Sequence, residues 1–216
     1  MCATVAGDPL CAVCETAFFD AGVHRCRSCA QRLGPAAGDL CGRCLRAPPA
    51  FDGSITLADY AAPVDGLVVA LKFGHRLEIA SSLGRLLGTA IARRAPPSAA
   101  IVAVPLAFER QRERGFNQTL EIARVAARVA ARPLLTEVLL RTRHRPAQEG
   151  LPLDERRRNV RGAFAVPAAA EGAVAGRNLI VIDDVMTSGS TLDEVARTLK
   201  RAGAAQVVNA IVARTP

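Results

Sequence analysis

Two adjacent acids stand between an apolar run and a cluster of hydroxylated residues in the last quarter of the sequence. The stretch reads NLIVIDDVMTSGSTLDEV, residues 178–195, and the acids are Asp183 and Asp184. Like charges side by side repel each other and lose hydration when they are buried. A buried strand therefore gains nothing from such a pair at its exit, and the pair indicates a ligand outside the strand.

The residues that follow the acids, VMTSGST, have the composition of a phosphate site. Gly189 lets the backbone turn so that successive N–H groups face inward. A helix that begins near Ser190 would aim its positive end at the same point. A phosphate monoester there would gain charge-assisted hydrogen bonds of about 1.5 to 3 kcal/mol each. The hydroxyl donors around this point are Thr187, Ser188, Ser190 and Thr191.

A simpler explanation covers only part of this stretch. Thr191 and Glu194 fit a capping box, which would make them residues of helix initiation. The acid pair stays unexplained by that reading, because two carboxylates just before a phosphate cup are placed to accept hydrogen bonds from a sugar diol. The sequence contains neither G-x-x-x-x-G-K-[ST] nor a G-x-G-x-x-G that opens the first helix. We therefore predict a sugar phosphate as the ligand.

Cysteines are confined to the first 44 residues, where all seven of them lie. Six form three Cys-x-x-Cys pairs that recur every 15 residues, and two such pairs can close a tetrahedral zinc site. We predict a structural zinc site made of Cys11, Cys14, Cys26 and Cys29. The third pair, Cys41 and Cys44, is then either a vestigial pair of ligands or a substitute pair. The alternative is a set of buried thiols without metal.

Composition limits the class of protein. The chain has 216 residues, 50% hydrophobic and 22% charged, which fits one globular domain with a small appended module. No apolar run approaches the roughly 18 residues of a membrane helix, and no signal peptide is apparent, so we predict no membrane insertion and a cytoplasmic location. The net charge of +8 comes almost entirely from arginine and favours anionic partners. Aromatic residues make up only 4%, which argues against direct binding of single-stranded nucleic acid by stacking.

Strand and helix patterns alternate along the chain. Strands are predicted at residues 54–60, 99–105, 136–143, 178–183 and 206–213. Two helices separated at Gly74, a helix capped by Asn117 and a helix ended by Gly203 lie between them, and residues 106–116 are predicted as a basic loop. This order predicts a mostly parallel central sheet flanked by helices, with ligands beyond the carboxyl ends of the strands. The Pro-Pro pair in residues 45–53 predicts a boundary between a cysteine-rich zinc-ribbon-like module, residues 1–48, and a second domain, residues 49–216.

The motifs together resemble a known family. VIDDVMTSGST is similar to the phosphoribosyl pyrophosphate signature of type I phosphoribosyltransferases. The Cys-x-x-Cys pairs, ADYAAPVDGLVVALKFGHR, VPLAFERQRERGFNQT and RTRHRPAQEGLPLDERRRNVRGAF resemble the ComF branch of that superfamily, which includes competence protein F and the GntX proteins. The resemblance covers nearly the whole chain and implies a type I phosphoribosyltransferase-like fold.

The resemblance implies a role for each part of the site. Asp183 and Asp184 would hold the ribose hydroxyls, and residues 187–191 would grip the 5-phosphate. Arg110 and Arg114 would bind pyrophosphate, with Mg²⁺ bound together with phosphoribosyl pyrophosphate. A lid at residues 144–159 would supply further contacts. Those contacts are Gln148 and, as a second candidate, Arg156; Lys72 is a further candidate binding residue, with a solvated helix end as its alternative.

Two departures from the superfamily leave the reaction open. Thr187 stands where the purine enzymes have an acid, and the lid has no lysine like that of the orotate enzymes. The chain is accordingly either a transferase that acts on an unidentified acceptor or a non-catalytic, ligand-sensing partner in DNA uptake. The second alternative would contact single-stranded DNA or another uptake protein. A regulator of transcription would need a helix-turn-helix, and none is apparent.

Overall fold

The computed structural model describes residues 9–19, 22–142 and 160–216. The strands are β1 Gly53–Asp59, β2 Ala100–Ala103, β3 Leu134–Leu135, β4 Leu140–Arg141, β5 Phe164–Ala165, β6 Asn178–Met186 and β7 Gln206–Arg214. The helices are α1 Ala12–Phe18, α2 Gly42–Arg46, α3 Val64–Phe73, α4 Glu78–Arg94, α5 Phe108–Arg114, α6 Gln118–Ala130, α7 Glu171–Val174 and α8 Ser190–Arg201. A 3-10 turn at Ala168–Ala170 precedes α7.

Five of the strands form one parallel sheet, in the order β1-β7-β6-β2-β3. The central strands β6 and β7 are almost continuously apolar because helices cover both faces of the sheet. All five strands point the same way, so their carboxyl ends lie along one edge of the sheet. The α/β class with a parallel central sheet is confirmed.

Helices α3, α4 and α6 cover one face of the sheet. Leu83 and Leu87 of α4 and Ile122 of α6 are fully buried there against the sheet residues Ile180 and Ile182. Helices α4 and α6 approach closely at two glycines of α4. A Cβ at Gly84 would lie 2.6 Å from the Val125 Cβ, and one at Gly88 would lie 2.8 Å from the Ala126 carbonyl oxygen. Glycine is therefore required at both positions.

Helix α8 and the cysteine-rich segment cover the other face. Val195 and Leu199 of α8 share one buried cluster with Cys26, Cys29 and Cys44. The cysteine-rich segment is therefore packed onto the sheet. The division into domains at residues 1–48 and 49–216 stays a prediction.

Two predicted elements differ from the structure. The basic segment expected to be a loop contains helix α5, because FERQRER has neither glycine nor proline until Gly115, whose φ of 74° ends the helix. The strand predicted at residues 136–143 is interrupted at Glu137, whose φ is 64°. The sheet uses β3 instead, and β4 pairs antiparallel with β5 outside it. The predicted cap is confirmed: the Asn117 side chain accepts hydrogen bonds from the N–H groups of Thr119 and Leu120.

None of the helices in the described part of the chain is both long enough and apolar enough to cross a membrane.

Candidate functional site

The two acids lie in β6, which continues past the predicted end to Met186. Successive side chains of a strand point to opposite faces, so Asp183 and Asp184 leave the backbone in opposite directions. Asp184 is buried and Asp183 is half-buried. The Asp183 Oδ1 accepts a hydrogen bond from the Asp184 N–H at 2.9 Å. The pair is therefore held at the edge of the sheet where a parallel sheet places its ligands.

Asp184 has two side-chain partners from neighbouring helices. Lys72, at the end of α3, places its Nζ 3.0 Å from the Asp184 Oδ1. Gln118, the first residue of α6, donates from its Nε2 to the Asp184 Oδ2 at 2.7 Å. Both of the carboxylate's oxygens are therefore engaged, which satisfies the requirement of a buried charge. Lys72, a candidate binding residue in the sequence, thus lies beside Asp184, whereas Gln118 was not anticipated.

Asp183 has a different electrostatic environment. Its removal from water and the neighbouring charge of Asp184 raise the pKa of Asp183 to about 7, although Lys72 and Arg141 act in the opposite direction. The Asp183 carboxyl group therefore holds its proton to a much higher pH than an exposed aspartate does. A ligand that brings positive charge or hydroxyl donors to Asp183 would favour the ionised form.

Arg114 and Arg141 lie near the acids, and Arg110 lies near both of these arginines. Burial lowers the pKa of Arg114 and of Arg141, and the charge of Arg110 lowers both further. Arg114 donates to the Gln118 Oε1 at 3.1 Å and stacks over the Phe73 ring at 4.9 Å. The Arg141 Nε is buried without a hydrogen-bond acceptor among the described residues. This concentration of positive charge suits a multiply charged anion.

Arg141 was missed in the sequence because it was assigned to a core strand. It lies in β4, and its guanidinium stacks on Phe164 of β5 at 5.6 Å. An arginine directly after the three apolar residues of TEVLLRTR was the available signal, and the quoted GFNQT motif contained Gln118.

The loop between β6 and α8 turns at Gly189 and leads directly into the helix. Gly189 has a φ of 81° and is the N-cap of α8, so the helix N-terminus opens directly onto the loop. The Ser188 and Ser190 hydroxyls hydrogen bond to each other at 2.8 Å, and Thr187 is exposed. Thr191 lies in the first turn of α8.

The capping-box reading is wrong for this loop. The N-cap is a glycine without a side chain, and Glu194 turns away to accept a hydrogen bond from the Gly162 N–H at 2.9 Å. Thr191 therefore has no role as the N-cap, although the Ser188 Oγ accepts a hydrogen bond from the Ser190 N–H, the first of α8, at 3.3 Å.

The predicted lid, with Gln148 and Arg156, lies outside the described residues. Of the described candidates, the structure brings Lys72, Arg114, Asp183 and Asp184 together, with Arg110 beside Arg114.

Comparison with known proteins identifies the family of the chain. Residues 82–216 match the family model of the phosphoribosyl transferase domain. The chain belongs to the phosphoribosyltransferase family. Competence protein F of Haemophilus influenzae is 31% identical to this phosphoribosyltransferase-family chain over 208 residues, which are 94% of this chain and 89% of that protein.

Further relatives agree with the branch within the family. The DNA utilization protein YhgH of Escherichia coli K12 is 42% identical over 173 residues, 77% of this chain and 74% of that protein. The resemblance to the ComF branch is thus confirmed. Among solved structures, glutamine phosphoribosylpyrophosphate amidotransferase from B. subtilis has a TM-score of 0.45 and 19% identity, covering 66% of this chain and 30% of that chain.

The cysteine-rich part of this ComF-family chain contains a second site. The sulfur atoms of Cys26, Cys29, Cys41 and Cys44 all lie within 4.8 Å of one another. Four thiolates at this spacing are positioned to bind a metal ion. The predicted set was therefore wrong in one pair, because Cys26 and Cys29 are grouped with Cys41 and Cys44 instead of Cys11 and Cys14. Cys11 and Cys14 begin helix α1, whereas the other two pairs share one buried cluster with the sheet.

The electrostatics of the four thiols also suit a cation. Burial and the neighbouring Cys29 raise the pKa of Cys44 to about 12, although Ser28 opposes this. Burial also raises the pKa of Cys29. In contrast, the burial of Cys41 is outweighed by hydrogen bonds with Cys44, Cys29 and Cys26, which lower the pKa of Cys41 to about 7. Four thiolates cannot share this space without a compensating charge, and a divalent metal would supply it.

Proposed function

We propose that this protein binds phosphoribosyl pyrophosphate with Mg²⁺ at the carboxyl end of β6 and transfers the phosphoribosyl group to an acceptor. One observation carries the proposal. The carboxylates of Asp183 and Asp184 lead within a few residues into the Gly189 turn at the N-terminus of α8. A candidate diol-binding group and a candidate phosphate-binding group thus follow one another directly at the same edge of the sheet.

The two halves of the site divide the ligand between them. The loop N–H groups and hydroxyls would bind the 5-phosphate, with residues Thr187, Ser188, Gly189, Ser190 and Thr191. Asp183 and Asp184 would accept hydrogen bonds from the ribose hydroxyls. Because Asp184 already pairs with Lys72 and Gln118, it is held rigidly, and Asp183 is the more adaptable partner.

The arginine cluster suits the pyrophosphate. In the reaction the bond from C1 to the pyrophosphate oxygen breaks with its electron pair, and a bond from C1 to the acceptor forms. Positive charge grows on the sugar, where the two carboxylates stabilise it, and negative charge grows on the leaving group. Arg110 and Arg114, together with Arg141, would stabilise that negative charge. Bound Mg²⁺ would neutralise further charge on the pyrophosphate. Asp183 and Asp184 are the carboxylates that we assign to the diol on the same ligand.

We propose zinc as the metal of the cysteine cluster. Four cysteine ligands form a closed tetrahedral set without an open position, which is typical of structural zinc. The cluster would hold the cysteine-rich segment on the sheet and would take no part in the transfer.

A second candidate function is binding without transfer. The relatives are named for DNA utilization and for competence, so we propose that the site serves the use or uptake of DNA in either case. The purine enzymes have an acid at the position of Thr187. The absence of that acid favours the non-catalytic, ligand-sensing role, in which the protein would contact single-stranded DNA or an uptake protein.

Ligand-induced thermal stabilisation tests the site. Phosphoribosyl pyrophosphate with Mg²⁺ at about 100 times its Kd should stabilise the wild type by about 2.7 kcal/mol. The double variant Asp183→Asn with Asp184→Asn should lose this ligand-dependent increase in Tm. Asp39→Asn, a change at an exposed acid, should keep it. No increase in the wild type would contradict the proposal.

Release of pyrophosphate separates the two candidates. The wild type is incubated with phosphoribosyl pyrophosphate, Mg²⁺ and a panel of amine and hydroxyl acceptors, including nucleobases. Release that depends on one acceptor class would establish transfer and identify the acceptor. Ligand-induced stabilisation without release from any acceptor would favour the binding role.

A further inference from the structure

The cysteine cluster and the phosphate loop are joined by a hydrogen bond from Arg43. Arg43 lies in α2 between Cys41 and Cys44, two of the four clustered cysteines. Its NH1 donates to the Ser188 carbonyl oxygen at 2.8 Å. A residue from within a metal-binding Cys-x-x-Cys pair therefore contacts the backbone of the loop that we assign to the phosphate.

The same guanidinium faces the sulfur atoms. Burial lowers the pKa of Arg43, but a hydrogen bond with the Cys29 side chain and the charges of Cys29, Cys44 and Cys41 more than offset this, so that its pKa is raised. The guanidinium thus lies between the sulfur cluster and Ser188. Its planar group carries several donors in fixed directions and can serve both sides at once.

A second arginine makes a parallel connection. Arg214, at the end of β7, is 4% exposed. Its Nε donates to the Cys29 carbonyl oxygen at 3.1 Å, and its NH1 donates to the Met186 carbonyl oxygen at 3.1 Å. Met186 is the residue before the loop. The backbone is therefore anchored at Met186 and at Ser188 by two arginines that both reach Cys29.

These anchors act on the part of the loop that must face a phosphate. Fixing the carbonyl groups of Met186 and Ser188 also fixes the orientation of the peptide units between them and into the Gly189 turn. A metal-bound set of four thiolates keeps a net negative charge that attracts the Arg43 guanidinium. Arg43 also lies between Cys41 and Cys44 in the short helix α2, so a metal that joins these cysteines to Cys26 and Cys29 would hold the backbone that carries the guanidinium.

We propose that Arg43 is a positioning residue through which the metal-bound cysteine cluster sets the shape of the phosphate loop. The identity of the loop's ligand rests on the proposed function, whereas the positioning does not. Removal of the metal should therefore loosen the loop and weaken binding of a 5-phosphate, although no cysteine touches the ligand.

Hydrogen–deuterium exchange of the full chain in its metal-loaded form tests the positioning without any ligand. The peptide that covers residues 186–193 contains the Ser190 N–H, bonded to the Ser188 Oγ, and the Asp193 N–H, bonded to the Gly189 carbonyl. Arg43→Gln should keep the metal and exchange about tenfold faster in this peptide, as expected for loss of a charge-assisted hydrogen bond. Arg46→Gln, an exposed arginine of the same helix, should exchange like the wild type.

Two further arms complete the experiment. Chelation of the metal from the wild type should raise exchange in the same peptide, and Arg43→Lys, which keeps the charge beside the sulfurs but lacks the fork, should give an intermediate rate. Titration with ribose 5-phosphate should show about tenfold weaker binding to metal-loaded Arg43→Gln than to the Arg46→Gln control.

Three results would overturn the proposal: unchanged exchange in metal-loaded Arg43→Gln, unchanged exchange after chelation, or loss of the metal from Arg43→Gln, which would assign Arg43 to metal retention. Failure of the wild type to bind ribose 5-phosphate and phosphoribosyl pyrophosphate, with the exchange results as expected, would refute the proposed function and leave the positioning intact.

Discussion

Replacing Asp183 with asparagine should stabilise the ligand-free protein while removing a group that the proposed ligand needs. Asp183 is half-buried next to a second acid, and these surroundings raise its pKa from the usual 3.8 to about 7. Asparagine has nearly the same shape and can still accept the hydrogen bond from the Asp184 N–H. The substitution therefore removes the charge with little change in packing.

The sign of the pH dependence follows from the proton count. Between pH 4 and pH 7 the folded protein keeps the Asp183 proton and the unfolded chain releases it. The free energy of unfolding therefore falls as the pH rises through this range and levels off above pH 7. A pKa raised from 3.8 to about 7 corresponds to at most about 4 kcal/mol, at about 1.4 kcal/mol for each tenfold change. Because water has partial access to Asp183, we expect Asp183→Asn to raise the free energy of unfolding by about 1 to 3 kcal/mol at pH 8. At pH 5 the increase should be less than half as large.

Urea unfolding followed by circular dichroism at pH 5 and pH 8 measures this gain, since the chain has no Trp and a single Tyr for fluorescence. Asp184→Asn is the matched control. It removes the neighbouring charge but leaves Lys72 without its carboxylate, so we expect a loss of stability. Equal stability of Asp183→Asn and the wild type at pH 8, or a gain independent of pH, would refute the reasoning.

Three further predictions concern the metal, the loop and the buried ion pair. Cys41→Ser should lower the bound metal measured by mass spectrometry, whereas Cys11→Ser combined with Cys14→Ser should leave it unchanged; the reverse result would restore the pairing predicted from the sequence. Gly189→Ala should cost about 1 kcal/mol in urea unfolding, because its φ of 81° is unfavourable for any residue with a Cβ, and no loss would argue against the left-handed turn. Lys72→Met should lower the free energy of unfolding by about 2 kcal/mol by leaving a buried carboxylate with only a glutamine partner, and a neutral effect would show that the ion pair is not formed in solution.

The local patterns of the sequence were sufficient for most of the fold. Apolar runs identified β6 and β7, and Asn117 identified the start of α6, because strand burial and helix capping depend on neighbouring residues. The strand predicted at residues 136–143 was wrong because TEVLLRTR is apolar and β-branched enough for a strand, yet the positive φ of Glu137 interrupts it. Such a backbone choice depends on packing that a short stretch does not contain.

The sequence by itself determined which residue types each candidate site contains. The acid pair followed by TSGST predicted a diol-binding group and a phosphate-binding group, since those residues are consecutive, and the Cys-x-x-Cys spacing predicted a metal site. Tertiary structure alone decided which cysteine pairs meet, because three equivalent pairs cannot be distinguished by spacing. It also decided that Gln118 and Lys72 hold Asp184, that Arg141 lies near Asp183, and that Arg43 connects the two sites, because each contact joins residues far apart in the chain.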